Sequence, residues 1–348
     1  MKRVRIIRVM GLLLASMMIS ACTGGKAAEG FAETKELAAD SIAIDQIFRP
    51  RQHVVAGDKA VFFGMEADTL GYVFRLPDFE FLYGGIRTGG GPEEMSNVYV
   101  DLVAEYSDSG RFIVRDYGKG FRFFKAGERA FEPGGWVVAD RKDSAGESGG
   151  AVGVDSLIAE TYFDKPAERV MLRLFDASRG IYTDTTETST VFVTWQTGDY
   201  TVYTTANYGS SVKMGGALAV VYNETGRLDI YDISSGKFVL KNTVGDATSL
   251  EELKKVDFEG RVSGTEYDGL CTDGRYLYVL ANDYRMDDRE EGRKTVGSFV
   301  LVYDWLGNPV RKCRLEKVAD RILAFDGKVY AFDTMFDLDK MYVYDPGV

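Results

Sequence analysis

The sequence predicts an all-β protein assembled from repeated four-stranded antiparallel units, and three observations carry that reading. Four cassettes share one pattern, an aromatic residue and Asp closing an apolar strand, then a tight turn ending in Gly: Phe175-Asp176 to Gly180, Tyr231-Asp232 to Gly236, Tyr303-Asp304 to Gly307 and Tyr344-Asp345 to Gly347. The Asp residues are 56, 72 and 41 positions apart, spacings that suit propeller blades with long loops. Glycine is frequent (39) and proline scarce (7), while β-branched and aromatic residues recur in short runs broken by turn residues. Asp273-Gly274 and Asp326-Gly327 supply the positive φ that a two-residue hairpin needs.

The first segment is not part of the fold. Lys2, Arg3, Arg5 and Arg8 precede an apolar run from Val9 to Ile19, a basic n-region and an h-region too short to span a bilayer. Ile19-Ser20-Ala21-Cys22 resembles a bacterial lipobox, which would make Cys22 the acylated first residue of the mature chain; the alternative is an ordinary signal peptide cleaved near Ala21. Two or three acyl chains on one residue suffice for stable anchoring without a span. The expected domains are therefore a lipoprotein signal peptide (1–21), a flexible tether (22–40) and a single propeller (41–348). The expected location is a bacterial envelope, facing the periplasm or the cell surface, since Thr23 is not an inner-membrane retention Asp and no acidic export run follows it.

Blade one reads His53 to Gly57, Ala60 to Met65, Gly71 to Leu76 and Phe79 to Gly84. Blade two runs from Val98 to about Ala139 with a turn at Ser109-Gly110, and blade three uses Leu157 to Phe163 and Arg169 to Asp176. Blade four uses Ser211 to Met214, Ala217 to Tyr222, Arg227 to Asp232 and Phe238 to Leu240. Ser249-Leu250-Glu251-Glu252 is a capping box that opens a short helix. Blade five starts at Gly269-Leu270-Cys271, continues with Tyr276 to Ala281, crosses a polar loop from Asn282 to Gly297, and ends with Ser298 to Asp304 and a strand from Asn308 through Leu315. Blade six has Ala319 to Phe325, Val329 to Asp333 and Lys340 to Asp345, one strand short. The alternating Ser41 to Phe48 fits the missing outer strand, so the fold is a six-bladed β-propeller with four antiparallel strands per blade, closed by its own N-terminal strand.

At this point the residues resemble a known family. Phe299-Val300-Leu301-Val302-Tyr303-Asp304-Trp305-Leu306-Gly307-Asn308-Pro309-Val310, then Ile322-Leu323-Ala324-Phe325 and Val329-Tyr330, is similar to the C-terminal half of the TolB-like six-bladed β-propeller lipoproteins of Bacteroides-type bacteria. Gly89-Gly90-Gly91-Pro92-Glu93-Glu94 is similar to their Gly-x-Gly-Pro-x-Glu segment, and the resemblance spans roughly residues 40 to 348. It implies a fold, a lipid anchor and an envelope location, and carries over no reaction.

Charge and motifs narrow the function. Removal of the four basic residues of the signal leaves 38 Lys and Arg against 53 Asp and Glu, a net charge of about −15, which disfavours nucleic acid and anionic lipid as partners. Gly146-Glu147-Ser148-Gly149-Gly150 matches a hydrolase pattern but offers no strand-to-helix elbow, and the single histidine, His53, sits in a strand start without triad surroundings. A solvated Gly/Ser loop is the expectation there. Asp283, Asp287, Asp288, Glu290 and Glu291 crowd one loop and Asp333, Asp337 and Asp339 another, without the spacing of a Ca²⁺ loop; Ca²⁺ stays open and no cofactor is expected. Cys271 and Cys313 fall on the innermost and outermost strands of one blade, roughly 14 Å apart at ~4.8 Å per strand, so two separate buried thiols are expected. Gly84 to Met95 is either an anion-cradling segment or a flexible connection between blades, and the 44 aromatics belong mostly to packing between blades.

In a four-stranded blade the second-to-third loop and the crossing to the next blade emerge on one face. Long loops on a rigid face concentrate function. Arg87, Glu93, Asp116, Tyr117, Asp283, Tyr284 and Asp333 are therefore the candidate recognition residues, with Cys22 the lipid attachment site. The expected function is a monomeric, lipid-anchored envelope binding module that recognises an envelope protein or a small polar ligand. The alternative is a carboxylate- or metal-dependent enzyme acting on a carbohydrate or lactone.

Overall fold

A computed structural model describes residues 30–46, 50–64, 69–89, 91, 94–95, 100–103, 108–116, 119–137, 147–153, 156–164, 166–197, 200–256, 264–287, 292–334 and 337–348. The described chain enters through β1 (Thr34–Leu37) and β2 (Asp40–Ala43). Blade one follows as β3 (Pro50–Ala56), β4 (Lys59–Gly64), β5 (Gly71–Arg75) and β6 (Glu80–Gly85). Blade two is β7 (Val100–Val103), β8 (Arg111–Asp116), β9 (Gly120–Ala126) and β10 (Phe131–Val137), and blade three is β11 (Glu147–Val152), β12 (Leu157–Asp164), β13 (Arg169–Asp176) and β14 (Ile181–Glu187). A separate two-stranded hairpin, β15 (Val191–Thr197) and β16 (Tyr200–Ala206), occupies the next crossing. Blade four is β17 (Gly209–Met214), β18 (Ala217–Tyr222), β19 (Arg227–Asp232) and β20 (Val239–Val244). The helix α1 (Leu250–Leu253) then precedes blade five, β21 (Gly264–Thr272), β22 (Leu277–Asp287), β23 (Gly292–Tyr303) and β24 (Pro309–Leu315). Blade six is β25 (Arg321–Phe325), β26 (Lys328–Asp333) and β27 (Asp337–Tyr344), completed by β2.

The first strands of the six blades touch in turn, β3 to β7, β11, β17, β21 and β25, and β25 returns to β3. That circuit is a closed six-bladed ring. Each blade packs on both faces, which buries the centre of its middle strands, most completely in the six buried residues of β4. The seams are apolar. Val61, Phe63 and Val73 of blade one meet Phe112 and Phe124 of blade two, while Phe62 and Phe74 meet Leu323, Tyr330 and Phe332 of blade six. Burying each such side chain contributes about 1.5–3 kcal/mol.

Closure occurs on the expected strand with a shorter span. β2 pairs antiparallel with β27 from Asp40↔Val343 to Ala43↔Lys340, and Ile44 N donates to Asp339 O at 2.8 Å. Phe48, the expected last residue, lies outside the described residues. The segment read as tether is partly structured. β1 adds a fifth strand to blade five, parallel to β24 from Thr34↔Lys312 to Leu37↔Leu315. The edge of β24 offers unpaired backbone groups, and the two large apolar residues of the segment, Leu37 (buried) and Phe31 (ring 5.2 Å from Tyr303), fasten it.

The cassettes are turns of one design. Asp176 and Asp232 end their third strands, Asp304 and Asp345 directly follow theirs, and each accepts the backbone N–H two residues on, at 2.8–3.0 Å, with Gly180, Gly236, Gly307 and Gly347 at positive φ. In blade three the Gly-Glu-Ser-Gly-Gly segment is no loop: Glu147 to Gly150 belong to β11, where Ser148 pairs with Tyr162. Small residues are accepted in this innermost strand, and the pairing bulges between Ser148 and Ala151. The capping box forms, with the Glu252 carboxylate accepting from Ser249 Oγ at 2.7 Å and Ser249 N at 3.2 Å. Cys271 and Cys313 are both free thiols on the first and fourth strands of blade five.

Candidate functional site

Blade five carries the most elaborated part of the long-loop face. Asn282 to Gly297, expected as a polar loop, is mostly a hairpin: β22 and β23 continue past the ring through Asp283↔Gly297, Tyr284↔Thr295 and Arg285↔Lys294 to Asp287↔Gly292. The facing Arg285 and Lys294 are exposed, so their charges stay in water and do not forbid pairing.

The base of this hairpin is held by a polar network. β21 bulges between Tyr267 and Gly269, which takes Asp268 out of the ladder. Asp268 Oδ2 then accepts from Tyr284 Oη at 2.7 Å and from Asn282 Nδ2 at 2.8 Å. Asn282 Nδ2 also donates to Ala319 O at 2.9 Å, Ser298 Oγ donates to Asn282 Oδ1 at 2.6 Å, and Ala319 N donates to Ser298 Oγ at 3.0 Å. Asn282 and Ser298 are fully buried, so every partner is needed to offset their desolvation. Burial pushes the Asp268 carboxyl above its ordinary range, against the bonds from Tyr284 and Asn282, with Glu266 adding to the rise and Arg321 opposing it. Asp283 accepts from Thr265 Oγ1.

Blades six and one extend this charged arc along the inner rim. Asp320 accepts from Thr334 N at 2.9 Å and from Thr334 Oγ1, and lies 3.8 Å from Arg321. His53 Nε2 donates to Ile322 O at 2.7 Å, with the ring packed against Phe62 and Phe332. Desolvation drives the His53 pKa down to about 4, helped by Arg321 and opposed by the Ile322 bond and Asp320. The one histidine is thus a neutral packing residue.

The described residues of the Gly-rich segment after blade one form a closed clasp. Gly91 N donates to Glu94 Oε2 at 2.8 Å, and Lys119 Nζ donates to Gly91 O and Glu94 O at 3.1 and 2.7 Å. A Cβ on Gly89 would stand 2.0 Å from Glu94 Oε2. The cradle is filled by the chain's own carboxylate. Thr88 and Met95 bridge to close it, and Met95 N donates to Arg87 O at 2.9 Å.

Of the predicted residues, Asp283 and Tyr284 sit together on the blade-five hairpin with Asp268. Asp333, half-buried, ends β26 opposite Asp337, beside the Thr334–Asp320 pair. Arg87 is exposed at the clasp. Asp116 is fully buried at the end of β8, with its carbonyl bound to Lys119 N at 3.0 Å, so it shapes a turn and presents no side chain to a partner. Cys22, Glu93 and Tyr117 lie outside the described residues. Sequence reasoning missed Asp268, Asn282, Ser298 and the β15–β16 hairpin. The alternation Val191-Phe192-Val193-Thr194 and Tyr200-Thr201-Val202-Tyr203 signals that hairpin, and Gly269 inside a strand run signals the bulge at Asp268.

Among the described residues no group of three or more His, Cys, Asp and Glu is arranged to hold a metal. Two cavities lie on the opposite, turn face. One of about 360 Å³ lies between blades four and five, lined by Tyr231, Lys241, Asn242, Trp305 and Leu306 among others. Another of about 500 Å³ lies among Gly57, Lys59, Gly110, Glu128 and Phe325, where Lys59 bridges Asp58 (2.7 Å) and Glu128 (2.8 Å).

Residues 201–325 match the family described as TolB-like 6-blade propeller-like. None of the curated proteins compared matches the chain. A structure of a DUF4221-family member from Bacteroides vulgatus is similar at a TM-score of 0.51 and 11% identity, over 89% of this chain and 97% of that one. BamB from Moraxella catarrhalis is similar at a TM-score of 0.36 and 11% identity, over 84% of this chain and 68% of that one. The propeller domain of Cps50 (Swd1) from Myceliophteria thermophila reaches 0.44 and 9% identity, over 85% of this chain and 83% of that one. The ring of six blades makes the chain a six-bladed β-propeller, and its residues 201–325 are similar to the TolB-like propeller family.

Proposed function

We propose that this protein is a lipid-anchored envelope binding module that recognises a protein or small polar ligand through its long-loop face. The observation that carries the reading is the blade-five hairpin, whose 11- and 12-residue strands outrun the other strands of the ring and are braced at their base by the Asp268–Tyr284–Asn282–Ser298 network. A braced projection on a rigid ring presents Asp283 and Tyr284 with little ordering cost on binding. The anchor is supported by the basic, apolar and Ile-Ser-Ala-Cys pattern of residues 2–22. Capture of partners from detergent-solubilised envelope by wild type and by Asp283→Lys/Asp287→Lys tests the surface: loss of a specific partner from the variant is expected, and an identical partner set sinks the assignment.

One observation favours a second reading. Asp268 combines a raised carboxyl with Arg321 and Glu266 nearby, the environment of a general acid. A carbohydrate or lactone hydrolase would lose its turnover in Asp268→Asn, whereas a binding module has none to lose.

A further inference from the structure

We infer that the turn face of the ring lies against the membrane, with Leu306 in the lipid interface and the long-loop face turned away from it. The inference rests on the proposal that Cys22 is acylated.

The exit point of the chain sets the geometry. The described residues begin at Gly30, packed so closely on the start of β24 that a Cβ there would lie 3.1 Å from Pro309 Cγ, and the Phe31 ring stacks edge-on against Tyr303 at 5.2 Å. Both contacts flank the Asp304 to Asn308 turn, on the turn face at the corner of blades four and five. Eight Cα-to-Cα steps lead from Cys22 to Gly30, a reach of at most about 29 Å when fully extended. A compact chain of roughly 310 residues has a radius of gyration of about 19 Å, so its far face lies at or beyond the end of that tether.

The surface at the exit point suits the interface. Leu306, at the tip of the turn, is 72% exposed. Exposed large apolar residues collect on this rim: Phe81, Ile181, Val239, Leu240 and Val310 each stand within the first two positions of a fourth strand. Tyr208, Val296 and Val318 are the exceptions among the described residues. Trp305 lines the adjoining cavity with Leu306, and an indole beside an exposed aliphatic chain is a common interfacial pair. The chain's net negative charge gives no attraction to anionic headgroups, so contact with lipid must come from apolar side chains, and these are the ones available.

The test uses the full mature lipoprotein reconstituted into phosphatidylcholine vesicles, with an environment-sensitive fluorophore on Leu306→Cys or on Arg285→Cys at the exposed hairpin. Cys271 and Cys313 compete poorly for the label, because burial raises both thiols. Doxyl lipids are expected to quench the probe at 306 several-fold more than the probe at 285. Equal quenching, or stronger quenching at 285, overturns the orientation. Mass spectrometry of the mature N-terminus separates the two ideas: acyl mass on Cys22 with no quenching at 306 sinks this inference alone, and an unmodified Cys22 sinks the anchor and the inference together.

Discussion

Because the sequence holds a single histidine, its protonation can be followed without ambiguity. His53 Nε2 donates to Ile322 O at 2.7 Å between the innermost strands of blades one and six, and desolvation lowers its pKa from 6.5 to about 4. The unfolded chain therefore takes up this proton first as pH falls, and folding stability is lost progressively between pH 6.5 and about 4. The whole difference corresponds to roughly 3 kcal/mol, of which about 2 kcal/mol falls between pH 6.5 and 5. Most carboxylates titrate below that window. Asp176 and Asp232, held low by the hydroxyls of Ser178 and Ser234, lose their contribution only as pH drops below the ordinary carboxylate range. For a chain of this size 2 kcal/mol is a midpoint shift of about 4 °C. His53→Gln keeps a donor for Ile322 O and removes the titration. The assay is urea unfolding at pH 6.5 and 5.0 on both proteins, with the one imidazole resonance followed by NMR. Wild type should lose about 2 kcal/mol and the variant very little. A histidine that titrates between 6 and 7, or parallel losses in both proteins, refutes the reasoning.

Other consequences concern packing. Glu160 is fully buried and holds Arg173, Arg115 at 3.3 Å and Tyr182 Oη at 2.7 Å, so Glu160→Gln leaves two guanidinium groups without their carboxylate and should cost about 3–5 kcal/mol in denaturant unfolding. A loss under 1 kcal/mol would show that water reaches this seam. Gly307 and Gly215 both have positive φ, but a Cβ at Gly307 would meet Asn242 Nδ2 at 2.7 Å and Val244 Cγ2 at 2.8 Å, whereas at Gly215 nothing stands within 4 Å. Gly215→Ala should cost only the ~1–2 kcal/mol of a left-handed L-residue, and Gly307→Ala clearly more, by the same unfolding assay. Equal losses would contradict the packing of the blade-five turn on blade four. Burial pushes the Cys313 thiol up to about 11 and the Cys271 thiol up as well, so native protein whose Cys22 is acylated should react slowly with a disulfide reagent at pH 8 and release the two thiols of Cys271 and Cys313 on denaturation.

The parts of this fold that could be read in the sequence are those whose chemistry is local. The Asp of each cassette binds the N–H two residues ahead, so Asp304, Leu306 and Gly307 announce their turn with no knowledge of the rest of the chain. The closing strand was visible because blade six plainly lacks a partner for β27. Asp268 was not visible, because its role depends on Asn282 14 residues on and Tyr284 16 residues on, and Ser298 and Ala319 complete the set. The charged run of the blade-five hairpin reads as a loop in the sequence because charge usually marks loops, a rule that fails where paired strands keep their charges exposed, as at Arg285 and Lys294. Asp116 illustrates the opposite error: an Asp beside a turn looked exposed, and the fold buries it completely.

The most direct test of recognition through the long-loop face is photo-crosslinking in the envelope, with a photoreactive residue placed at exposed Arg285 on the hairpin or at exposed Asp58 on the turn face. A discrete adduct from 285 that disappears in Asp283→Lys, with none from 58, is the result this account predicts. The same adducts from both positions, or an adduct from 58 alone, would contradict it.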